Sequence, residues 1–307
     1  MKIGEAESWL KNELRTVYEE QEAANISSMV MEHVTGCDLT QRLLKKEEPL
    51  VVSQLHHLTE IHHRLLQHEP VQYAIGEAWF YGMKLTIDQN VLIPRPETEE
   101  LVDWVVMDVK SSWSDVFSGQ TGKSDKSTEL RILDVGTGSG CIALALKKAM
   151  PGAEVWGCDI SDDALNLARR NGSELDIRID FLAVDFLDAA QRTQLPMYNI
   201  IVSNPPYIPQ GQRAYMHNNV VHHEPHAALF VPDEDPLVFY RALAEFGASG
   251  LEKQGSIYME INEEFGERVL QLLQENGYNC ELRKDLQGKD RMIRASIGRR
   301  TMISFSL

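Results

Sequence analysis

The chain has 307 residues and carries 46 Asp and Glu against 30 Lys and Arg, a formal net charge of −16. This acidic balance disfavours a protein that grips nucleic acid through phosphate contacts. A hydrophobic content of 43% with 25% charged residues excludes disorder over most of the chain, and at roughly 150 residues per domain the length predicts about two domains.

The start of the chain carries acidic residues and no apolar core segment, and no stretch approaches the roughly 18 apolar residues of a membrane span. We therefore expect no signal peptide, no membrane segment and a cytoplasmic location.

Cys37, Cys141, Cys158 and Cys280 lie far apart without a Cys-x-x-Cys spacing. Such spacing is typical of reduced thiols rather than of disulfides or a zinc site.

The first quarter of the chain has a helical pattern. Apolar residues recur at three- and four-residue intervals, first from Trp9 to Val17 and again from Leu55 to Leu65. Glycine is scarce there, and Pro49 and Gly36 divide the run into several short helices. We predict a small helical domain over residues 1–75.

The next segment alternates apolar and polar residues around a turn at 88–90, which predicts a β-hairpin linker over residues 76–96. A helix is predicted from Glu97 to about 117, followed by a polar, flexible loop over 118–129. Gly122-Lys123-Ser124 in that loop lacks the earlier glycine of a phosphate-binding loop, because position 117 is Phe.

From residue 130 onward, strands and helices alternate with short turns, which predicts an α/β fold with a doubly wound sheet. The predicted strands cover 131–135, 154–160, 178–185, 198–204, 255–261, 278–285 and 291–298, and the main helices cover 141–149, 162–171, 235–249 and 263–275. The last two strands leave no room for a helix between them and should pair antiparallel. A seven-stranded sheet with one reversed strand is the topology of Rossmann-like methyltransferases.

A glycine-rich turn follows the first of these strands. It comprises Gly136, Thr137, Gly138, Ser139 and Gly140. Glycines allow a tight turn and a close approach of a ligand to the backbone, and the next helix offers free N–H groups. A dinucleotide fingerprint would need a third glycine at position 141, which is Cys, so NAD binding is disfavoured.

Acidic residues follow the next two strands. Asp159 lies at the distance from the glycines at which a carboxylate accepts hydrogen bonds from ribose hydroxyls. Asp185 and Phe186 end the third strand, where a polar group can meet the amino group of adenine while the ring packs on the base. Because doubly wound folds bind ligands at the carboxyl ends of strands, these residues predict a nucleoside-type ligand.

The fourth strand is followed by Asn204, Pro205, Pro206 and Tyr207. Prolines fix φ and remove backbone donors, so this turn presents acceptors. The Asn204 side-chain oxygen and the Pro205 carbonyl can accept both hydrogens of a planar NH₂ group while Tyr207 covers its flat face. We expect methyl transfer to such a nitrogen, which orientation and charge stabilisation make possible without a covalent enzyme intermediate.

These two motifs resemble those of S-adenosylmethionine-dependent amino-group methyltransferases, and nearly the whole chain resembles the release factor glutamine methyltransferases. The resemblance extends to 70–73 with Gly76, 91–99, Glu224-Pro225 with Ala228-Leu229, Phe239-Tyr240, and Asp285-Leu286 with Gly288, Asp290 and Arg291. It implies a Rossmann-like class I methyltransferase domain over 97–307.

The family methylates the side-chain amide of the glutamine in the Gly-Gly-Gln loop of peptide chain release factors. The resemblance implies S-adenosylmethionine as cofactor, held by residues 136–140, Asp159, Phe186 and Asn204, and the position of Asp185 at a strand end adds this residue to the predicted cofactor site. It implies that Asn204 also touches the substrate and that residues 205–207 frame the glutamine. The helical domain is our candidate for docking the release factor.

The chain departs from the family pattern after the fifth strand, where Glu260-Ile261-Asn262 and Phe265-Gly266 replace a usual Glu-Ile-Gly and Gln-Gly. Roles borrowed for those positions are therefore open.

For the segment 93–99 two interpretations stand. Pro94 and Pro96 can simply rigidify a helix start, or the segment can wall the cofactor pocket.

Two other functions remain open: an adenine or cytosine amino methyltransferase acting on nucleic acid, and a module that binds S-adenosylmethionine or a nucleotide without catalysis. The acidic charge disfavours the first.

The histidines at 56, 57, 62 and 63 and around Pro225 do not form the regular helical pair typical of a metal site, so no metal is expected.

Overall fold

The computed structural model describes residues 1–113 and 130–297, which group into two structural units. The smaller unit contains Met1–Glu77, Ile87–Gln89 and Met216–Glu224, and the larger contains the remaining described residues. The predicted loop 118–129 with Gly122-Lys123-Ser124, the predicted helix beyond residue 113 and the last residue of the seventh predicted strand lie outside the described residues.

The helices and strands of both units are numbered in chain order. The helices are α1 Ile3–Leu14, α2 Glu20–Thr35, α3 Leu39–Leu44, α4 Val52–Leu65, α5 Val71–Ile75, α6 Pro96–Ser112, α7 Cys141–Ala149, α8 Asp162–Glu174, α9 Ala189–Arg192, α10 Asn218–His223, α11 His226–Leu229, α12 Val238–Gly250 and α13 Gly266–Glu275, with a 3-10 helix at Gln210–Tyr215. The strands are β1 Glu77–Phe80, β2 Met83–Thr86, β3 Arg131–Val135, β4 Glu154–Asp159, β5 Asp180–Ala183, β6 Tyr198–Ser203, β7 Ile208–Pro209, β8 Phe230–Val231, β9 Leu251–Glu260, β10 Tyr278–Lys284 and β11 Asp290–Ile297.

The smaller unit is helical, as the apolar periodicity predicts. Its core is formed by one stripe of each long helix, including Leu10 and Leu14 of α1, Val30 of α2, and Leu58 and Leu65 of α4. Gly36 ends α2 in the left-handed conformation, as is typical of a helix C-terminus. Within the two described ranges, none of the helices combines the length and the hydrophobicity that crossing a membrane requires.

The larger unit is built on a seven-stranded sheet in the order β10-β11-β9-β6-β3-β4-β5. All neighbours are parallel except that β11 runs antiparallel to both β10 and β9. This confirms the predicted antiparallel pairing of the last two strands. The final strand inserts between β9 and β10 instead of extending the edge of the sheet.

Apolar side chains cover both faces of this sheet, because successive residues of a strand point to opposite sides. On one face Ile132 of β3 and Val202 of β6 join a core with α6 and α7. On the other face Leu133 and Ile201 join a core with α12 and α13. Burial on both faces explains why these strands read as nearly continuous apolar runs.

Within the segment predicted as a hairpin linker, residues 76–96, only residues 77–86 form the two-stranded sheet β1-β2. The prediction that the hairpin turns at 88–90 is wrong, because the chain reverses at Tyr81-Gly82, where both residues have a positive φ. Residues Ala78–Thr86 belong to the larger unit, and Phe80, Met83 and Leu85 are buried in its core beside α6. The hairpin is therefore a packed part of that unit. The following helix α6 starts at Pro96, in agreement with the predicted start.

Several predicted elements differ in their bounds. Helix α12 begins at Val238 and not at 235, and strand β9 begins at Leu251, before the predicted start at 255. The third strand of the predicted set, 178–185, is paired only over Asp180–Ala183, because Asp185 turns the chain by accepting a hydrogen bond from the Leu187 N–H. Helix α13 begins at Gly266 and not at 263, because Asn262 accepts hydrogen bonds from the N–H groups of Glu264 and Phe265 and holds a turn there.

Candidate active site

The glycine turn connects β3 to α7 at the carboxyl edge of the sheet. Gly136, Gly138 and Gly140 have φ values of 71°, 53° and 81°, which side chains rarely adopt. The N–H groups of Gly136 and Thr137 both donate to the Cys158 carbonyl at 2.9 Å. The loop is therefore fixed by its backbone against the end of β4.

The glycines of this loop have two different roles. A Cβ at Gly140 would lie 3.1 Å from the Cβ of Ala168 and 3.3 Å from the Phe181 ring, so this glycine permits close packing of α7. A Cβ at Gly136 or Gly138 would meet no atom of the described residues within 4 Å. The surface over these two residues is open and can accept a ligand.

A buried carboxylate supports the loop from below. Asp134 Oδ2 accepts hydrogen bonds from Thr137 Oγ1 at 2.6 Å and from the Ala143 N–H at 3.2 Å. Complete burial raises the pKa of Asp134 to about 7, since desolvation penalises the charged form. Ser139 is also buried, and its carbonyl accepts a hydrogen bond from Asn171 Nδ2 at 2.9 Å.

Asp159 lies at the end of β4, against the glycine loop. Its Oδ2 accepts a hydrogen bond from the Gly138 N–H at 2.9 Å, and its Oδ1 accepts one from the Ser161 N–H at 3.0 Å. Each carboxylate oxygen can accept a further hydrogen bond. The geometry is compatible with the predicted contact to ribose hydroxyls.

Asp185 and Phe186 follow β5, one strand further along the same edge. The Asp185 carboxylate accepts a hydrogen bond from the Leu187 N–H at 2.9 Å and remains partly exposed. Phe186 is only 6% exposed. Its ring packs edge-to-face on the Phe246 ring, with 5.4 Å between the ring centroids. The Arg192 guanidinium carbon lies over the Phe186 ring, 5.7 Å from its centroid. Phe186 is thus a core side chain, and its contact with a base stays a prediction.

Asn204 follows β6 directly. Val135 pairs with Ser203 in the parallel register, and Ser203 Oγ donates to the Val135 carbonyl at 2.8 Å. Asn204 and Gly136 therefore leave adjacent strands at the same level of the sheet. The register brings together the glycine loop, Asp159 and the Asn-Pro-Pro-Tyr segment, as predicted from the carboxyl ends of parallel strands.

Two residues that the sequence-based prediction of the site does not include, Thr98 and Glu260, organise this segment. Asn204 Nδ2 donates to Thr98 Oγ1 at 3.1 Å, and Thr98 Oγ1 donates to Glu260 Oε2 at 2.7 Å. Tyr207 donates its hydroxyl to Glu260 Oε1 at 3.1 Å. Thr98 lies in the first turn of α6, so the segment 93–99 supplies a direct contact with Asn204. Glu260 ends β9 at the edge where the other site residues lie, which is the signal that could have identified it.

Burial changes the acidity of the groups at this site. Burial raises the pKa of Glu260 above its usual value, and hydrogen bonds from Thr98 and Tyr207 with the charge of Arg291 offset only part of this rise. Burial and the neighbouring Glu260 charge raise the pKa of Tyr207 far above its usual range, so its hydroxyl stays protonated. Tyr207 is therefore a hydrogen-bond donor at neutral pH.

Of the residues that depart from the family pattern, Asn262 contacts this segment. Asn262 Nδ2 donates to the Tyr207 carbonyl at 3.3 Å, and Phe265 is buried in the core below α12 and α13. Asn262 thus gives Tyr207 a contact that a glycine at this position cannot provide.

The histidines lie outside this site. His56 is 3.5 Å from Glu60, His57 packs on His33, and His62 packs on Trp9. Over residues 1–113 and 130–297, no group of three or more His, Cys, Asp or Glu side chains has the arrangement of a metal site.

Comparison with known proteins identifies two family models. The methyltransferase small domain matches residues 121–229, and the PrmC N-terminal domain matches residues 5–76. The release factor glutamine methyltransferase of Bacteroides thetaiotaomicron is 38% identical over 290 residues, covering 94% of this chain and 98% of that protein. The one of Streptococcus pneumoniae is 37% identical over 300 residues, covering 95% and 98%.

Among solved structures, the hMettl16 catalytic domain in complex with the MAT2A 3′UTR hairpin 6 has a TM-score of 0.50 at 14% identity and covers 81% of this chain and 83% of its own. At this identity the likeness concerns the fold alone, and it agrees with the methyltransferase sheet described above.

Proposed function

The chain belongs to the release factor glutamine methyltransferase family, and from this premise we propose that it transfers a methyl group from S-adenosylmethionine to the side-chain amide nitrogen of the glutamine in the Gly-Gly-Gln motif of peptide chain release factors. The observation that carries the proposal is the orientation of Asn204. Its NH₂ group is engaged by Thr98, which leaves its oxygen to accept from a substrate.

The residues present fit S-adenosylmethionine. The open surface over Gly136 and Gly138 can receive the ligand, and Asp159 offers acceptors for ribose hydroxyls beside it. We propose that residues 136–140, Asp159, Asp185 and Phe186 hold the cofactor, with Asn204 at its reactive end. When bound, S-adenosylmethionine supplies a methyl group that a nucleophile can take from its positively charged sulfur.

The protein makes a weak nucleophile reactive by orientation. An amide nitrogen has a delocalised lone pair, so its two hydrogens must be held while the lone pair is aimed at the methyl group. The Asn204 oxygen and the Pro205 carbonyl accept these hydrogens and stabilise the positive charge that develops on the nitrogen. No base is needed before transfer, because the extra proton can leave for water afterwards.

Pro206 and Tyr207 complete the substrate pocket in this proposal. Tyr207 is held at its hydroxyl by Glu260 and at its carbonyl by Asn262, which supports a fixed ring that covers the flat face of the glutamine amide. A fixed surface lowers the entropy that must be lost when the substrate is oriented.

We propose that the helical region 1–75 docks the release factor. A group of apolar side chains on α3 and the start of α4 supports this role, with exposed fractions of 63% and 82% for Leu43 and Leu44 and 87% for Val52. Large apolar side chains that stay exposed within a short stretch of chain are candidates for contact with a protein partner. We further propose a cytoplasmic location, because translation takes place there.

The test is to incubate the purified protein with labelled S-adenosylmethionine and, in parallel, a release factor, the same factor with its Gly-Gly-Gln glutamine replaced, and duplex DNA. Label on the wild-type factor alone is the expected result. Label on DNA would favour a nucleic-acid amino methyltransferase, and label on neither substrate would contradict the proposed substrate.

A further inference from the structure

Thr98 connects Asn204 to a carboxylate that the chain buries almost completely. Thr98 is 2% exposed and Glu260 is 1% exposed. Thr98 Oγ1 lies 2.7 Å from Glu260 Oε2 and 3.1 Å from Asn204 Nδ2. The three side chains come from α6, β9 and the turn after β6, and they form one continuous hydrogen-bonded series.

The direction of each hydrogen bond in this series follows from proton counting. The single hydroxyl proton of Thr98 is donated to Glu260 Oε2, the direction required toward a carboxylate, which only accepts. Because its only hydroxyl proton is used for Glu260, the Thr98 oxygen can only accept a hydrogen bond from Asn204. Asn204 must present its NH₂ group to Thr98, and its oxygen is left facing away from Thr98.

Burial raises the pKa of Glu260 above its usual value, and three neighbouring groups act against this rise. Both carboxylate oxygens accept hydrogen bonds from hydroxyl groups, one from Thr98 and one from Tyr207. Arg291 adds a favourable positive charge. These groups oppose the desolvation that raises the pKa of Glu260.

We propose that Thr98 and Glu260 are positioning residues that fix the Asn204 amide in the orientation needed to accept a hydrogen from the substrate nitrogen. This inference rests on the proposed function for its consequence in catalysis, but the orientation itself is a property of the protein alone. Without Thr98 the amide can rotate by half a turn and present its NH₂ group to the substrate, where two donors would face each other.

The amide orientation can be measured by NMR without any substrate. The nitrogen and oxygen of an amide are nearly indistinguishable by X-ray diffraction at ordinary resolution, whereas NMR observes the NH₂ protons. In protein labelled with nitrogen-15 at asparagine only, the Asn204 signal is assigned by its loss in Asn204→Ala. We expect one Asn204 proton to exchange with water more slowly than the other, by on the order of tenfold for one hydrogen bond.

Variants of Thr98 test whether its hydroxyl group causes the slow exchange of the Asn204 proton. Thr98→Val keeps the shape and removes the acceptor, so the slow exchange of the Asn204 proton should disappear, and Thr98→Ser should restore it. Thr86→Val is the matched control, because Thr86 Oγ1 donates to Glu174 Oε2 at 2.9 Å in a Thr-Glu pair that does not include Asn204. It should leave the Asn204 signal unchanged.

Thr98→Val leaves a buried carboxylate with one partner fewer, which can prevent folding. In that case the proton exchange is measured in the double variant Thr98→Val with Glu260→Gln, because this variant removes the buried charge together with the hydroxyl. The same loss of slow Asn204 exchange is expected. Unchanged exchange in whichever of these variants folds would overturn the proposal.

Turnover gives the second readout. Thr98→Val should lower kcat for the release factor about tenfold or more, the cost of one misdirected hydrogen bond, while the Kd for S-adenosylmethionine changes little. Thr98→Ser should recover most of the loss. A wild-type protein that does not methylate the factor would contradict the proposed function, whereas the amide exchange would still decide the positioning role. An unchanged kcat in Thr98→Val would overturn the proposal.

Discussion

The glycine loop and the Asn-Pro-Pro-Tyr segment lie on neighbouring strands, yet the protein holds them in different ways. The loop is fixed by backbone hydrogen bonds to Cys158 and by carboxylates from the same or the adjacent strand. Asn204 and Tyr207 are fixed by side chains from distant parts of the chain, and the Thr98–Glu260 bond spans 162 positions.

This difference separates two tasks. A backbone loop with open space over its glycines can bind a cofactor through shape and N–H groups, largely independent of side-chain identity. Orienting a planar NH₂ group requires one acceptor in one orientation, and only a side-chain network defines that orientation. We therefore expect substitutions in the two regions to change different measured quantities.

The largest expected effect is at Asn204. Asn204→Ala should lower kcat by a factor on the order of 10² or more, as for the loss of one oriented polar group, while the domain stays folded and still binds S-adenosylmethionine. Steady-state kinetics and calorimetry measure the two quantities. Asn166→Ala on the exposed face of α8 is the control, and equal kcat values for both variants would exclude the assigned role.

The reverse separation is expected at Gly138. Gly138→Ala places a methyl group in the open surface over the loop, where it occupies space that the cofactor needs, so the Kd for S-adenosylmethionine should rise about tenfold, or ~1.4 kcal/mol. Gly277→Ala is a matched control, because Gly277 also has a positive φ and open space around its Cβ position, but lies between α13 and β10.

Both glycine variants should lower the free energy of unfolding by similar amounts, because the backbone strain is similar. Only the Gly138 variant should bind the cofactor more weakly. If the Gly277 variant loses the same affinity, the effect comes from general destabilisation and the loop has no special role.

A smaller effect is expected from the helical region, which belongs to neither part of this comparison. The double variant Leu44→Asp with Val52→Asp should raise KM for the intact release factor roughly fivefold, a loss of ~1 kcal/mol of apolar contact. A short Gly-Gly-Gln peptide should show no change in KM. Met107→Asp, a comparably exposed apolar position in the larger unit, is the control, and an equal rise in KM there would refute docking through α3 and α4.

The smallest effect is expected at Tyr207. Tyr207→Phe keeps the ring and removes the hydrogen bond to Glu260, so kcat should fall by about two- to fivefold for one ordinary hydrogen bond. The Kd for S-adenosylmethionine should stay the same. A change in cofactor affinity larger than the change in kcat would mean that Tyr207 supports the cofactor side of the site.

Local sequence patterns predicted the elements that local chemistry determines. Helix α7 has the predicted bounds, Cys141–Ala149, because Gly140 and Pro151 bracket an apolar run. The order of strand ends also followed from the alternation of strands and helices, and it placed Asp159, the glycine turn and Asn204 at one edge. These features depend on residues close together in the chain.

The side-chain network could not be predicted in the same way. Nothing in the periodicity around Thr98 indicates a contact with Glu260, because that contact exists only once α6 packs against β9. The burial of the Phe186 ring likewise depends on Phe246 of α12, far along the chain. Tertiary packing decides such contacts, and a strand-end motif reports only which backbone positions are near each other.

Tandem mass spectrometry on a release factor incubated with the protein and S-adenosylmethionine can locate the methyl group and so decide the proposed function. We expect a single added methyl on the side-chain amide of the Gly-Gly-Gln glutamine, strongly reduced with Asn204→Ala. A methyl group at any other residue, or equal methylation with Asn204→Ala, would contradict this expectation.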